Sequence, residues 1–157
     1  MRTQITIDDG DARIAIAAIH EELVRRGKRA IIAVADAHGE LIGLLRMTGA
    51  ALSSIGVATN KAFTAARLRR PSRTIGRNVR DAAKGFDISY YGDPRYVGWA
   101  GGLPVVVDEI VVGAIGVSGL SEDEDEELAA LGIAAIHAAD RAANHAGRVA
   151  PATKPAP

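Results

Sequence analysis

The chain of 157 residues contains no cysteine, and only 4% of its residues are aromatic. The absence of cysteine excludes disulfides, thiolate metal sites, iron–sulfur clusters and a thiol nucleophile. The formal net charge is zero, which argues against a general nucleic-acid-binding protein, because binding to phosphates depends on an excess of cations. No run of about 20 apolar residues is present to span a bilayer, and the first residues lack the apolar segment of a secretory signal. We therefore expect a cytoplasmic protein with neither nucleic acid nor membrane as a partner.

Aliphatic residues and alanine make up most of what is present, since 48% of the chain is hydrophobic although aromatics are scarce. A chain of this length suits one domain around a single core. We predict that residues 1–147 form this domain. Residues 148–157, RVAPATKPAP, are predicted to be a disordered tail, because a Pro/Ala-rich segment cannot bury a core.

The first half of the chain predicts a helix, a hairpin and two further helices. Asp8 or Asp9 caps DARIAIAAIHEELVRRG, whose apolar residues recur at helical spacing. RAIIAVADAHGELIGLLRM then reads as two strands around the turn DAHG. A second helix begins at Ser53 or Ser54, and Pro71 suits the first turn of a third, PSRTIGRNVRDAAK.

The second half predicts three strands and a last helix. A strand is expected to begin near Tyr96, and the glycine-flanked hairpin GGLPVVVDEIVVGAIGVSG follows. Ser121 caps the last helix, whose acidic start, SEDEDEE, opposes the helix dipole favourably. Tight turns make neighbouring strands antiparallel. The order therefore predicts an α+β domain with a five-stranded antiparallel sheet flanked by helices.

The charges are segregated along the chain although they balance overall. Residues 41–80 hold eight basic residues and no acidic one, whereas residues 108–127 hold eight acidic residues and no basic one. One interpretation is two solvated helical faces. The other is that the two surfaces meet across a subunit interface, or that the arginines draw anions to a pocket.

Four stretches in order resemble the GlcG/HbpS family, which includes haem-binding proteins and the C-terminal domain of the PduO adenosyltransferase. They are IAVADAHGELIGLLRMTGA, NKAFTAA with its following Arg-Pro, GGLPV, and VVGAIGVSG before the acidic helix start, and they fall across residues 10–137. The resemblance implies a profilin-like, five-stranded antiparallel sheet between helices and a homo-oligomer, often an octamer. The aromatic-rich stretch FDISYYGDPRYVGWA departs from the family pattern.

The residues and the resemblance leave two main functions open. The resemblance implies a small-ligand-binding oligomer that takes haem or a related planar anionic ligand and is linked to redox sensing or catabolism. The alternative is a catabolic enzyme that acts on a small aromatic or oxo-acid by proton transfer. A purely structural accessory is a third possibility, because the family alone does not fix the chemistry.

Glycines are the first candidate ligand-site residues. Gly101 and Gly102 allow a sharp turn and close approach of a bulky group, and with Gly119 they are predicted to form a ligand-facing edge. Gly113 and Gly116 lie within a strand, where glycine is destabilising unless another element packs closely. For these two, helix packing is an equal alternative.

Cations and hydroxyls near the second helix form the next group. Lys61 and Thr64 stand one turn apart, and Lys61 together with Arg46 can meet the carboxylates of a ligand. Lys61 can equally be a plain surface residue of an Ala-rich helix. His20 has two interpretations, as a surface or interface residue or as a haem ligand. No pair of histidines has the spacing of a metal site, so we predict none.

The aromatic segment completes the candidate site. Tyr90 and Trp99 offer stacking surface, and Arg95 offers a fork for carboxylates, although core or interface packing is the alternative. If the protein is an enzyme, Asp36 and Tyr91 are the candidates for proton transfer. Asp36 can instead serve only to stabilise its turn.

Overall fold

The computed structural model describes residues 5–149, and these form four helices, one 3-10 turn and four strands. In chain order the elements are α1 (Asp9–Arg25), β1 (Ile31–Asp36), β2 (Leu41–Arg46), α2 (Ser54–Leu68), α3 (Ser72–Val79), the 3-10 turn (Ile88–Tyr91), β3 (Gly102–Val107), β4 (Ile110–Ser118) and α4 (Glu122–Val149). This is the α+β class that the sequence predicts.

The strands form one antiparallel sheet in the order β2-β1-β4-β3. β1 lies in the middle and is buried on both faces, as its continuous apolar run IIAVA requires. Its first residue, Ile31, pairs with Ser118, the last residue of β4. The two hairpins therefore lie side by side, and the last residue of β1 is at the opposite end of the sheet from Ser118.

The sheet expected from the sequence has five strands, and the described residues form only four. No strand begins near Tyr96, because the backbone there finds partners on helices instead. Val97 N–H donates to the Thr64 hydroxyl at 3.0 Å, and Ala100 N–H donates to Glu122 Oε2 at 2.8 Å. The segment before β3 is consequently a loop held by side chains of α2 and α4.

α1 and α4 cover one face of the sheet and bury the larger aliphatic residues. Asp8 caps α1 as predicted: its carboxylate accepts the N–H groups of Gly10 and Asp11, and the Asp11 carboxylate accepts the N–H of Asp8. The core between these helices and the sheet includes Ile19, Leu23, Ile32, Val34, Ile115 and Leu128.

α2 covers the other face and approaches the sheet more closely. The facing residues are small: Ala58 and Ala62 on the helix pack against Ala33 and Ala35 of β1. A Cβ atom at Gly116 would overlap the carbonyl oxygen of Ala58, so only glycine fits there. The packing interpretation of Gly116 is confirmed. Gly113 instead faces the side chain of Ile7.

Two boundaries differ from expectation. α3 ends at Val79 rather than near Lys84, because the Asp81 carboxylate accepts the N–H groups of Ala83 and Lys84 and forms a turn in place of another helical turn. α4 continues to Val149, and residues 150–157 of the predicted tail lie outside the described residues. Among the described helices, none has the length and apolar character needed to cross a bilayer.

Candidate functional site

α2 carries Lys61 into the interior of the protein, where it forms an ion pair with Asp125 of α4. The Lys61 Nζ atom lies 2.8 Å from Asp125 Oδ2 and 2.9 Å from the carbonyl oxygen of Val117. Both charged side chains are 3% exposed. The second carboxylate oxygen of Asp125 accepts the N–H of Leu120 at 3.1 Å. Lys61 is therefore not the surface residue of the plainer interpretation.

A cleft of about 350 Å³ opens above this ion pair, between the start of α2 and the start of α4. Its apolar walls are Val57, Leu120 and Trp99. Its polar lining adds the hydroxyls of Ser53, Ser54 and Ser118 and the carboxylate of Glu122 to the ion pair. We call this space the Lys61 cleft.

Trp99 is 53% exposed although its backbone is held firmly. The buried Ser72 hydroxyl donates to the carbonyl oxygen of Trp99 at 2.6 Å and accepts the N–H of Gly102 at 3.0 Å. The neighbouring Gly98 lies in backbone contact with Gly76 of α3, with no room for a Cβ atom on either residue. The backbone contacts fix the position of Trp99, so its indole ring offers a surface on which a planar ligand can stack.

The predicted glycine edge lies beside this cleft, although much of its space is filled by the protein itself. Gly101 has φ +110°, and a Cβ atom there would lie 2.9 Å from Lys61 Nζ. A Cβ atom at Gly102 would overlap the Lys61 carbonyl oxygen. Gly119 connects two cleft residues, Ser118 and Leu120, and packs on Ala30. The packing explains all three glycines, and a ligand-facing role remains a prediction.

The basic and acidic stretches meet within one chain. Besides the Lys61–Asp125 pair, Arg73 of α3 contacts Asp123 and Glu126 of α4. These hydrogen bonds raise the pKa of Arg73. Ion pairs between the basic and the acidic stretch thus connect α2 and α3 to the acidic start of α4, next to the Lys61 cleft.

The remaining aromatic residues gather at the other end of α2. Phe63 packs against Tyr96 with ring centroids 5.1 Å apart, Tyr96 packs against Tyr91 at 4.6 Å, and the Arg95 guanidinium lies 3.9 Å from the Phe63 ring centroid. Thr64 holds this loop in place, because its hydroxyl accepts the N–H of Val97 and lies 3.4 Å from the carbonyl oxygen of Arg95.

The other predicted residues at this end are engaged locally or exposed. The Asp36 carboxylate accepts the N–H groups of His38 and Glu40 in the β1–β2 turn. Arg95 pairs with Asp93, and this hydrogen bond lowers the pKa of the Asp93 carboxyl. Tyr90 is 86% exposed. The structure thus separates these residues from Lys61 and Trp99, and proton transfer by Asp36 and Tyr91 remains a prediction.

A second cleft, of about 340 Å³, lies between the end of α1 and the segment after β2. His20 and Val24 of α1 line one side, Met47 lines the other, and Lys28 and Arg29 lie between them. We call it the His20 cleft. Arg46, the last residue of β2, directly precedes Met47 and is exposed. Lys28 is paired with Glu124 of α4, and this contact lowers the pKa of the Glu124 carboxyl.

Sequence reasoning missed several of these features. It placed Asp125 and Glu122 only in the acidic run that faces the dipole of α4. It also did not consider Ser118, and it did not join His20 to Met47. The described residues include no group of three or more histidine and acidic side chains arranged to hold a metal ion.

The chain is a small α+β domain with two candidate clefts at one end of its sheet. A family model described as "Haem degrading protein HbpS-like" matches residues 7–134. The chain belongs to this HbpS-like family. It is also similar to protein GlcG of Escherichia coli, with 35% identity over 118 residues, which cover 75% of this chain and 85% of GlcG.

Solved structures agree with this assignment. The Klebsiella pneumoniae protein ORFY superposes with a TM-score of 0.83 and 28% identity, covering 88% of this chain and 95% of that one. PduOC, solved as a complex with haem, superposes with a TM-score of 0.77 and 26% identity, covering 83% of this chain and 95% of that one.

Proposed function

We propose that this protein binds haem or a related planar anionic ligand, in a role in redox sensing or catabolism. The His20 cleft is the observation that carries the proposal. It combines an imidazole, the apolar side chains of Val24 and Met47, and the guanidinium of Arg29. Imidazole is a common axial ligand of haem iron, and a guanidinium pairs well with carboxylates.

The donor sets of the two clefts distinguish them. Among the described residues that line the Lys61 cleft, none carries an imidazole, a thioether or a thiol. The charge of its one cation, Lys61, is already balanced by the carboxylate of Asp125, so it is not available to offset the charge of a haem carboxylate. The His20 cleft has both an imidazole and a thioether. The residues of the His20 cleft therefore fit haem, and those of the Lys61 cleft do not supply an iron ligand.

The comparisons support the same class of ligand, since PduOC was solved as a complex with haem and the family model carries a haem-related description. In this chain His20 would hold the iron, Arg29 would meet the carboxylates, and Val24 with Met47 would contact the macrocycle. Bound haem would supply a redox-active iron. The chain's own contribution is to bind and orient it.

The test is a haem titration followed by the Soret band, with the full chain and two histidine variants. We expect His20→Ala to abolish or markedly shift the Soret band of the complex, because the iron loses its nitrogen ligand. His38→Ala is the matched control, since His38 is an exposed histidine in the β1–β2 turn outside this cleft. A wild-type chain without a Soret shift, or a His20→Ala variant that binds as well as His38→Ala, would contradict the proposal.

We also propose that the protein is a homo-oligomer, as its family resemblance implies, with an octamer as the expected size. Light scattering at micromolar concentration measures this directly. A species with the mass of one chain would contradict it.

A further inference from the structure

The Lys61 cleft has polar groups that the protein itself does not satisfy. Ser118 is 6% exposed, its hydroxyl lines the cleft, and it has no hydrogen-bond partner among the described residues. No enclosed side-chain nitrogen or oxygen of the described residues lacks a partner, so the Ser118 hydroxyl is open to the cleft and not sealed inside the protein. Water or a ligand can therefore hydrogen-bond to Ser118 at the floor of the cleft.

Lys61 has capacity for one more acceptor. An ammonium group has three hydrogens, and within the described part of the chain its partners are two oxygens, Val117 O and Asp125 Oδ2. Gly101 packs directly against this ion pair, because a Cβ atom there would lie only 2.9 Å from Nζ. The floor thus offers two donors, the Lys61 ammonium and the Ser118 hydroxyl, to an oxygen atom of a ligand.

Glu122 adds an acceptor at the same cleft. Its Oε2 atom accepts the N–H of Ala100 at 2.8 Å, and no side chain of the described residues hydrogen-bonds to its other oxygen. Since Asp125 balances Lys61, Glu122 leaves the charged lining of the cleft with a net negative charge. This disfavours an anionic ligand. A cation such as an amidinium has no acceptor for the Lys61 ammonium and would place a second positive charge beside it, so a neutral group that both accepts and donates hydrogen bonds suits the lining.

The apolar walls define the remainder of the ligand. Trp99 stands at the mouth on a backbone fixed by Ser72, and Val57 and Leu120 lie beside it. An aromatic ring packs well against an indole and aliphatic side chains. An aromatic primary amide combines these features: an aromatic ring, a carbonyl oxygen that accepts hydrogen bonds, and an NH₂ group on the same carbon that donates them.

We propose that the Lys61 cleft is a second small-molecule site, separate from the His20 cleft, that binds an aromatic primary amide. The carbonyl oxygen accepts from Lys61 and Ser118, the amide N–H₂ donates to Glu122, and the ring packs against Trp99. This site requires no haem, and so its test is independent of the function proposed above.

Trp99 is the only tryptophan of the chain, so intrinsic tryptophan fluorescence reports on this cleft alone. The probes are benzamide, benzoate and benzamidine, which share a ring and nearly the same shape and differ in charge. We expect a saturable response to benzamide, with a Kd lower by about tenfold or more than that of either charged probe. No saturable response to benzamide, or binding of benzoate at least as tight, would overturn the proposal.

Two variants test the assigned groups. Ser118→Ala should weaken benzamide binding by about fivefold, whereas the exposed Ser89→Ala should not change it. Glu122→Gln keeps an oxygen for Ala100 N–H and removes the negative charge, so the preference for benzamide over benzoate should shrink. The His20→Ala variant must bind benzamide as the wild type does, because the two clefts are separate. An unchanged preference in Glu122→Gln, or lost benzamide binding in His20→Ala, would overturn the assignment.

Discussion

Lys61 and Asp125 form a buried ion pair with 2.8 Å between Nζ and Oδ2, and it connects three elements of the fold. Lys61 comes from the middle of α2, Asp125 from the first turn of α4, and the carbonyl of Val117 from β4. The pair therefore fixes the start of α4 against the sheet. Through Asp125 it also fixes Leu120, whose N–H donates to the carboxylate.

Removal of one partner of the Lys61–Asp125 pair should destabilise the protein. Lys61→Met leaves the Asp125 carboxylate buried without its cation, and we expect a loss of about 3–5 kcal/mol in the free energy of unfolding. Arg67→Met is the control, because Arg67 pairs with Glu40 at the surface, where 42% and 58% of the two side chains are exposed. It should cost less than about 1 kcal/mol. Denaturant unfolding measures both. Equal losses in the free energy of unfolding for the two variants would show that the buried pair stabilises the fold no more than the exposed pair does.

Gly102 should prove essential for packing. A Cβ atom there would overlap the carbonyl oxygen of Lys61 and lie 2.8 Å from Ser72 Oγ. Gly102→Ala should therefore lower the free energy of unfolding by about 1–3 kcal/mol. Gly56→Ala is the matched change on the exposed side of α2, where a Cβ atom meets nothing within 4 Å, and it should raise stability by about 0.5–1 kcal/mol. Thermal or denaturant unfolding measures both variants. A change in the free energy of unfolding with the same sign in both would contradict this prediction.

Thr64 should hold the aromatic loop to α2. Thr64→Val keeps the shape of the side chain and leaves the N–H of Val97 without its acceptor, which we expect to cost about 1–3 kcal/mol. Thr59→Val on the same helix is the control, because the Thr59 hydroxyl donates only to the Ile55 carbonyl one turn earlier. Tyrosine near-ultraviolet circular dichroism should change in Thr64→Val alone, since Tyr91 and Tyr96 lie in the loop. An unchanged tyrosine signal in Thr64→Val would show that contacts other than the Thr64 hydroxyl hold the loop in place.

Local signals along the sequence predicted most of the elements. The capping Asp8, the turn DAHG and the glycine-flanked hairpin each depend on residues close in sequence, so their patterns are sufficient. The loop before β3 was wrongly expected to hold a strand. Its hydrogen-bond partners, Thr64 and Glu122, lie 33 and 22 residues away, and no local pattern indicates them.

The candidate site was predictable only in part. Lys61 and Trp99 were recognised as candidate ligand residues, and both line one cleft. The burial of Lys61 was not predictable, because its partner Asp125 lies 64 residues away within an acidic run that reads as a solvated helix start. A charged residue on an Ala-rich helix face next to buried alanines is the one local sign of such a pair.

Glu22 of α1 contributes to the acid dependence of stability through its two arginine partners. Hydrogen bonds from Arg25 and then Arg26 lower the pKa of the Glu22 carboxyl from an ordinary value of 4.5 to about 2. A carboxyl whose pKa is lower in the folded state contributes stability that is fully present above its unfolded pKa. This contribution is lost as the pH falls from the unfolded value through the folded one.

We therefore expect the wild type to lose stability from Glu22 between a pH of about 4.5 and about 2, and Glu22→Gln to lack this part of the loss. The difference in free energy of unfolding between the two proteins should be largest near neutral pH and shrink across this window. The lowered pKa of Glu124 depends on Lys28 and Ser121, so its contribution is the same in both proteins and cancels in the comparison. Glu127 shares Arg26 with Glu22, so the difference reports on the Glu22–Arg26–Glu127 group. Glu21→Gln, at the exposed neighbouring position, is the control for the loss of a charge. A wild-type-to-variant difference that stays constant from neutral to acid pH would show that the arginine pair does not stabilise the Glu22 carboxylate.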